Sequence, residues 1–404
     1  MNAALEFQNV DILFSREQGR KGARTIRDAL ARLDAGSSRE EISAACGVVV
    51  GVAGASLSIA PGEICVMMGL SGSGKSTLLR AANGLTAVTR GRVLVDDANA
   101  PIDVGNCGTE SLLRLRRERV AMVFQQFGLL PWRTVADNVG LGLELRGEPV
   151  AERRRIVAEQ LELVGLSQWA DRDVAELSGG MQQRVGLARA FATKADILLM
   201  DEPFSALDPL IRDKLQDELL ALQERVKKTI LFVSHDLDEA LRLGDRISIM
   251  HNGRIVQTGS AQDIVLRPAD DYVAEFVRHM NPLTVLTGAM IMRRCDAMER
   301  AEGSYCLDEE KRYRLHLDSS NAPVELRLNG QPHPLRVVGE DAACAEDERA
   351  VIVAPASLSL QSLIDLRRRT GHPVLLAEAG QVQGVCGETE IINALAARGS
   401  ASAA

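Results

Sequence analysis

Runs of apolar residues with few polar breaks occur at Ile64–Met68, Val120–Phe124, Ile197–Met200 and Thr229–Val233, and they read as strands buried on both faces. Between them, Glu152–Val164 and Asp213–Arg225 carry apolar residues at helical spacing. This alternation predicts an α/β domain across residues 48–280, with Pro268 and Pro282 punctuating its exit. Upstream, Leu5-Glu6-Phe7 and Val10 to Phe14 predict a short strand ending in an aromatic. Residues 15–47 then read as a helical insert. Arg24 to Leu33 has helical spacing, Gly36 breaks it, and Ser38 with Glu41 forms a capping box opening a second short helix.

The texture changes after about residue 283. Ala350–Val353 reads as a strand and Ser359–Arg369 as a helix, with the Ser357 region as its cap. Pro373–Ala377 and Val382–Val385 read as strands joined across a Gly380 turn, and Glu388–Ala397 as a second helix. Residues 283–349 show no equally clear copy of this β-α-β-β-α order.

Composition narrows the class. Of the 404 residues 46% are hydrophobic and 25% charged, which suits a globular protein with a sizeable core. A net charge of −8 argues against nucleic acid as a partner. No apolar run reaches the roughly 18 residues that span a bilayer, and residues 1–20 mix Glu6, Asp11, Arg16 and Glu17 with apolar positions, unlike a signal peptide. The seven cysteines, Cys46, Cys65, Cys107, Cys295, Cys306, Cys344 and Cys386, are scattered and odd in number, so they are expected to be reduced rather than paired or zinc-bound.

Candidate chemistry begins at Gly69-Leu70-Ser71-Gly72-Ser73-Gly74-Lys75-Ser76, followed by Thr77. An apolar strand enters this G-x-x-x-x-G-K-S loop and a helical segment, Thr77–Asn83, leaves it. Glycines let backbone N–H groups wrap a phosphate, and the helix adds its positive end. Lys75 can then reach β- and γ-phosphates and Ser76 offers a hydroxyl to Mg²⁺. At the end of a second apolar run stand Asp201, placed to hold the metal, and Glu202, placed to polarise a water.

Leu177-Ser178-Gly179-Gly180-Met181-Gln182-Gln183-Arg184 resembles the signature of ABC ATPases, with Met181 where the consensus has Gln. Gln125 resembles the family's Q-loop glutamine, Ser205-Ala206-Leu207-Asp208 its D-loop, Ser234-His235-Asp236 its switch histidine, and Phe14 its adenine-stacking aromatic. The resemblance covers roughly residues 1–280. It implies a P-loop NTPase fold with a helical subdomain over about 126–190, and ATP hydrolysis with Mg²⁺ as cofactor. It also implies roles. Glu202, His235, Lys75 and Gln125 would be catalytic, and Ser76, Gln125 and Asp201 would hold metal. Phe14, Gly69 to Thr77, Ser178, Gly179, Gly180 and Asp208 would bind nucleotide. With one phosphate loop and one signature, the signature would close over the nucleotide of a facing copy, giving a head-to-tail homodimer.

Finer resemblances point to import. The insert, Leu70 in place of the more usual Pro, Asp208-Pro209-Leu210-Ile211-Arg212 and Leu215 to Leu219, and Ser234 to Ala240 leading to Gly244-Asp245-Arg246 are similar to glycine betaine/proline/choline importers. The resemblance implies a peripheral subunit on the cytoplasmic face of the membrane. It would work with transmembrane permease subunits and a separate extracytoplasmic substrate-binding protein. With aromatics at 3%, this chain offers no aromatic cage for a quaternary amine. An importer of another small solute is the alternative, and a non-transport ABC ATPase lies further off. Gln126-Phe127-Gly128-Leu129-Leu130-Pro131 reads as an apolar hinge, with Trp132, Leu129 and Leu130 either touching a membrane subunit or packed inside. The β-α-β-β-α order from Ala350 to Ala397 resembles one cystathionine-β-synthase-type (CBS) repeat, and residues 283–404 are expected to form a CBS-like domain that regulates or stabilises the dimer. Arg367-Arg368-Arg369 reads as a solvated helix face.

Overall fold

A computed structural model describes residues 3–97, 100–125, 128–278, 283, 286–301, 303–339 and 349–396. Gln126, Phe127, Pro282, Cys344 and Ala397, singled out above, lie outside the described residues. The chain divides into two compact units, Met1–Ile264 and Val265–Ala404.

In the first unit the expected buried strands form the centre of a six-stranded sheet. Strands β3 (Ile64–Met68), β6 (Val120–Val123), β7 (Ile197–Asp201), β8 (Thr229–Val233) and β9 (Arg246–His251) run parallel, and β10 (Arg254–Gly259) closes the edge antiparallel, in the order β10-β9-β3-β8-β7-β6. Every residue of β3, β7 and β8 is buried, the reason each reads as an unbroken apolar run. A second, antiparallel sheet pairs β1 (Leu5–Ser15), β2 (Val48–Ile59), β4 (Arg90–Val95) and β5 (Ile102–Asp103) in the order β2-β1-β4-β5. Leu5, Phe7 and Ile12 of the small sheet meet Met67, Leu199 and Leu231 of the large one in a single core. Leu78 and Leu79 of helix α3 (Lys75–Ala81) join that core, which fixes the helix beneath the end of β3.

The insert folds as two helices, α1 (Gly19–Asp34) and α2 (Arg39–Cys46). The first begins at Gly19, ahead of the Arg24 expected from spacing, because its first turn is polar and carries no apolar signal. The capping box is formed: Glu41 N donates to Ser38 Oγ at 3.2 Å and Ser38 N to Glu41 Oε2 at 2.8 Å. Ala29, Leu33 and Ile42 bury against Leu13, Val48 and Val50, so the insert has its own small core.

Helix α4 (Thr109–Arg114) precedes β6, and the stretch between β6 and β7 holds α5 (Val135–Leu145), α6 (Val150–Leu163) and α7 (Gly179–Ala192), which pack on one another. Asn138 is fully buried at the start of this group. Its amide accepts from Leu130 N at 2.8 Å and donates to Leu130 O at 3.1 Å and Thr134 O at 2.9 Å. That clamp leaves Trp132 74% exposed while Leu129 and Leu130 are half-buried, so Trp132 is a surface residue and not core packing. Helices α8 (Pro209–Val226) and α9 (Leu237–Leu243) follow β7 and β8.

The second unit contains the expected βαββα order. Strand Val351–Pro355, helix Leu360–Thr370, strands Val374–Glu378 and Gln381–Cys386 and helix Glu388–Ala396 follow in sequence. The first helix is capped by Ser359, whose Oγ accepts from Ser362 N at 3.2 Å, two residues beyond the expected cap. Ala379 and Gly380, both at positive φ, make the hairpin turn. Ahead of it, where the sequence shows no clear second copy of that order, Arg300–Ala301, Ser304–Cys306, Tyr313–Leu317, Pro323–Leu328 and Gln331–His333 form a five-stranded antiparallel meander. Leu315 and Leu326 of the meander share a core with Val353, Leu375 and Val385. Tyr313, His372 and His333 stitch the same seam: Tyr313 Oη lies 2.8 Å from His372 Nδ1, and His372 Nε2 lies 3.3 Å from His333 Nε2. Arg368 and Arg369 are exposed and Arg367 pairs with Glu388 at 2.6 Å, as a solvated face would. The described cysteines are all free, and burial pushes the Cys65 thiol up to about 12. Among the described residues no helix is long and apolar enough to cross a membrane.

Candidate active site

The loop from Gly69 to Gly74 turns the chain from β3 into α3. Gly69 and Gly74 have φ of 143° and 105°, and a Cβ there would come within 2.1 Å of Met250 O and 2.4 Å of Gly51 O. Only glycine allows that path. Lys75 is buried at its end, donating from Nζ to Gly69 O at 2.7 Å and Leu70 O at 3.1 Å. Burial pulls its ammonium below the ordinary value, while Glu202 and Asp201 hold it up. Ser73 Oγ is buried without a hydrogen-bond partner among the described residues. A cationic amine folded back on its own loop and an unsatisfied hydroxyl are what a phosphate would complete.

Asp201 ends β7 fully buried. Its Oδ1 accepts from Ser76 Oγ at 2.7 Å and its Oδ2 from Arg80 Nη2 at 3.0 Å. Two hard oxygens this close suit Mg²⁺, so the donor set fits that ion. Glu202 follows with φ of 50°, a left-handed conformation that costs a non-glycine residue roughly 1–2 kcal/mol. Its Oε2 is 3.3 Å from Gln125 Nε2 and 3.4 Å from His235 Nδ1. The fold therefore gathers Lys75, Ser76, Asp201, Glu202, Gln125 and His235 from four separate stretches of sequence. Phe14, 46% exposed, and Thr77 both border Gly51: a Cβ on Gly51 would meet Phe14 Cε2 at 2.8 Å and Thr77 Cγ2 at 3.2 Å. The exposed Leu70 and Ser71 sit at the loop's crest.

Ser178, Gly179, Gly180 and Asp208 are not among the groups bonded to Lys75, Asp201 or Glu202. Ser178 caps α7, accepting from Met181 N at 3.4 Å, and Asp208 caps α8, accepting from Ile211 N at 3.1 Å. Ser178, Gly179 and Asp208 are exposed.

The chain matches the ABC transporter family over residues 52–205. The glycine betaine/carnitine transport ATP-binding protein GbuA of Listeria monocytogenes is 42% identical over 376 residues, covering 91% of this chain and 93% of that one. The chain belongs to the ATP-binding proteins of ABC transporters. The glycine betaine/proline betaine transport ATP-binding protein ProV of Escherichia coli is 48% identical over 294 residues, 73% of this chain and 70% of that protein. Among solved structures, a dimeric ATP-binding cassette in a post-hydrolysis state bound to ADP and Pi superposes with a TM-score of 0.53 at 30% identity. It covers 63% of this chain and 98% of that cassette. The first unit thus has the P-loop ABC ATPase fold, and the protein is a transport ATPase using ATP and Mg²⁺.

Four polar residues of this ABC ATPase carry no role in the sequence reading, although Gln183 and Glu239 lie inside stretches that resemble the family. Arg80 shares the face of Ser76 one turn on, so helical spacing could have found it. Arg39 of the insert donates to Gly72 O at 3.4 Å, tying α2 to the phosphate loop. Glu239 anchors the loop that carries His235: Ser234 Oγ donates to it, and Gln216 Nε2 donates to its other oxygen at 3.0 Å. Gln183 bridges α7 to the stretch after Asp201, donating to Glu202 O and accepting from Ala206 N, each at 3.1 Å.

Proposed function

We propose that this ATPase drives uptake of a quaternary amine such as glycine betaine or choline. The observation that supports it is the reach of the similarity to the glycine betaine/carnitine protein, which covers 91% of this chain and so extends well beyond the ATPase unit. The reading includes transmembrane permease partners and a separate extracytoplasmic binding protein, with this subunit peripheral on the cytoplasmic face. Trp132, exposed on the clamp set by Asn138, is the candidate contact with the permease. Residues 283–404 form a CBS-like domain that regulates transport or stabilises the dimer.

In this reading Phe14 stacks on adenine and the Gly69–Thr77 loop wraps the phosphates. Lys75 exchanges the carbonyls of Gly69 and Leu70 for β- and γ-phosphate oxygens. Ser76, Asp201 and Gln125 would hold Mg²⁺, which would supply positive charge against the phosphates. Glu202 orients a water and accepts its proton as the oxygen bonds to the γ-phosphorus and the bond to ADP breaks. His235 steadies that carboxylate and the γ-phosphate. Ser178, Gly179, Gly180 and Asp208 serve the nucleotide held by a second copy; Ser178, Gly179 and Asp208 are exposed, and Ser178 and Asp208 cap their own helices.

Deleting the gene should abolish high-affinity uptake of radiolabelled glycine betaine or choline and leave amino-acid and sugar uptake intact. Wild type should restore it, whereas Glu202→Gln should bind ATP, hydrolyse almost none and fail to restore uptake. Normal amine uptake in the deletion strain, with loss of an unrelated solute, would reject the substrate. Wild-type turnover in Glu202→Gln would reject the base.

A further inference from the structure

Glu202 is held by its backbone as much as by its side chain. Its left-handed conformation aims the carboxylate at Gln125 and His235, and a relaxed φ would aim it elsewhere. Its N–H donates to Val233 O at 3.1 Å, which fixes it to β8. Its carbonyl accepts from Ser205 Oγ at 3.0 Å within the same turn, and from Gln183 Nε2 on α7. Of these, Gln183 alone ties the residue to the signature helix. Gln183 is 1% exposed, and its amide oxygen accepts from Ala206 N. Gly180, three residues earlier on the same helix face, lies so close that a Cβ there would sit 3.3 Å from Ala206 O. The first turn of α7 and the turn 202–206 are therefore fastened face to face, by one buried side chain that uses both its donor and its acceptor.

We propose that Gln183 is a positioning residue for hydrolysis: it holds Glu202 in its left-handed conformation and so sets the carboxylate against the attacking water. The inference rests on the reading of Glu202 as the base. It also means that a displacement of the signature helix is transmitted to the carboxylate through one amide.

Two substitutions in the full-length chain test it. Gln183→Met keeps the volume and removes both hydrogen bonds. It should lower kcat about tenfold or more and leave the half-saturating ATP concentration within about twofold, the split expected when ground-state binding is spared. Gln183→Glu keeps both bonds only while its carboxyl is protonated, since the ionised form turns a negative oxygen on the Glu202 carbonyl. Its activity relative to wild type should therefore rise as pH falls from about 9 to 6, while the ratio for Gln183→Met stays flat. Should Gln183→Met not fold, the pH profile of Gln183→Glu decides alone. A kcat within about twofold of wild type in both variants would overturn the proposal, as would a Gln183→Glu ratio that does not move with pH. Glu202→Gln assayed alongside separates the two readings, because wild-type turnover there removes the base whatever Gln183 does.

Discussion

Ser234 donates to one oxygen of Glu239 and Gln216 to the other, while Asp236 N returns to Ser234 Oγ at 2.9 Å and Glu239 N to Asp236 Oδ1 at 3.2 Å. This closed network holds the short loop from which His235 projects, so the exposed histidine stands on a buried acid. Burial pushes the Glu239 carboxyl above its ordinary value and Asp236 adds to the rise, opposed by the donors and by Arg212. A carboxyl raised on folding contributes stability below its unfolded pKa and loses it as pH climbs through the folded one. Near neutral pH the raised Glu239 carboxyl therefore weighs against folding while it serves as an acceptor. Glu239→Gln should match or exceed wild-type stability at pH 7, and the difference should shrink towards pH 5. Glu239→Leu, which strands the Ser234 and Gln216 donors, should cost about 2 kcal/mol. Both tryptophans, Trp132 and Trp169, lie in the first unit, so denaturation followed by their fluorescence reads the effect directly. A Glu239→Gln chain clearly weaker than wild type at pH 7 would contradict the account.

At the scale of elements, helix α2 depends on its ends. Its eight residues bury only Ile42, so the Ser38–Glu41 box and the left-handed Gly47 at its close supply much of its definition. Ser38→Ala should cost roughly 1 kcal/mol locally, seen as amide exchange about fivefold faster at Glu41 and Ile42. An unchanged exchange rate would show that Arg39 and the insert core hold the helix without the cap. Elements with a strong local signal were legible. The buried parallel strands read as apolar runs because both faces are covered, and Ile64–Met68 and Thr229–Val233 match at both ends. The meander of the second unit was not legible. Its strands run from two to six residues, include Pro323 and Pro332, and set Arg, Glu and His among the apolar positions. Strands that short leave no period to count.

Over the whole molecule, the site was legible wherever it is built from contiguous motifs, although Ser76 and Asp201 meet across 125 residues. Gln183 was not, because it bonds main-chain atoms of Glu202 and Ala206 and leaves no mark on their side chains. The structure also sets the motif residues in two groups. The phosphate loop, Asp201, Glu202, Gln125 and His235 converge, while Ser178 and Asp208 face solvent and cap their own helices. If a second copy completes each site head to tail, damage to the two halves should complement. Lys75→Ala removes the phosphate-binding amine of one half, and Ser178→Arg blocks the signature of the other. Each pure variant should be nearly inactive. In a mixed dimer one site receives both lesions and the other receives Lys75 from one chain and Ser178 from its partner, both intact. Random mixing makes about half the dimers mixed with one good site each, so turnover should recover to about a quarter of wild type if the sites act independently. The measurement is steady-state phosphate release from equimolar co-refolded or subunit-exchanged chains, against each variant alone. No recovery, in a sample shown by differential tagging to contain mixed dimers, would mean that the two sites must fire together. Normal hydrolysis by either variant as a monomer would mean that the signature is not part of the site.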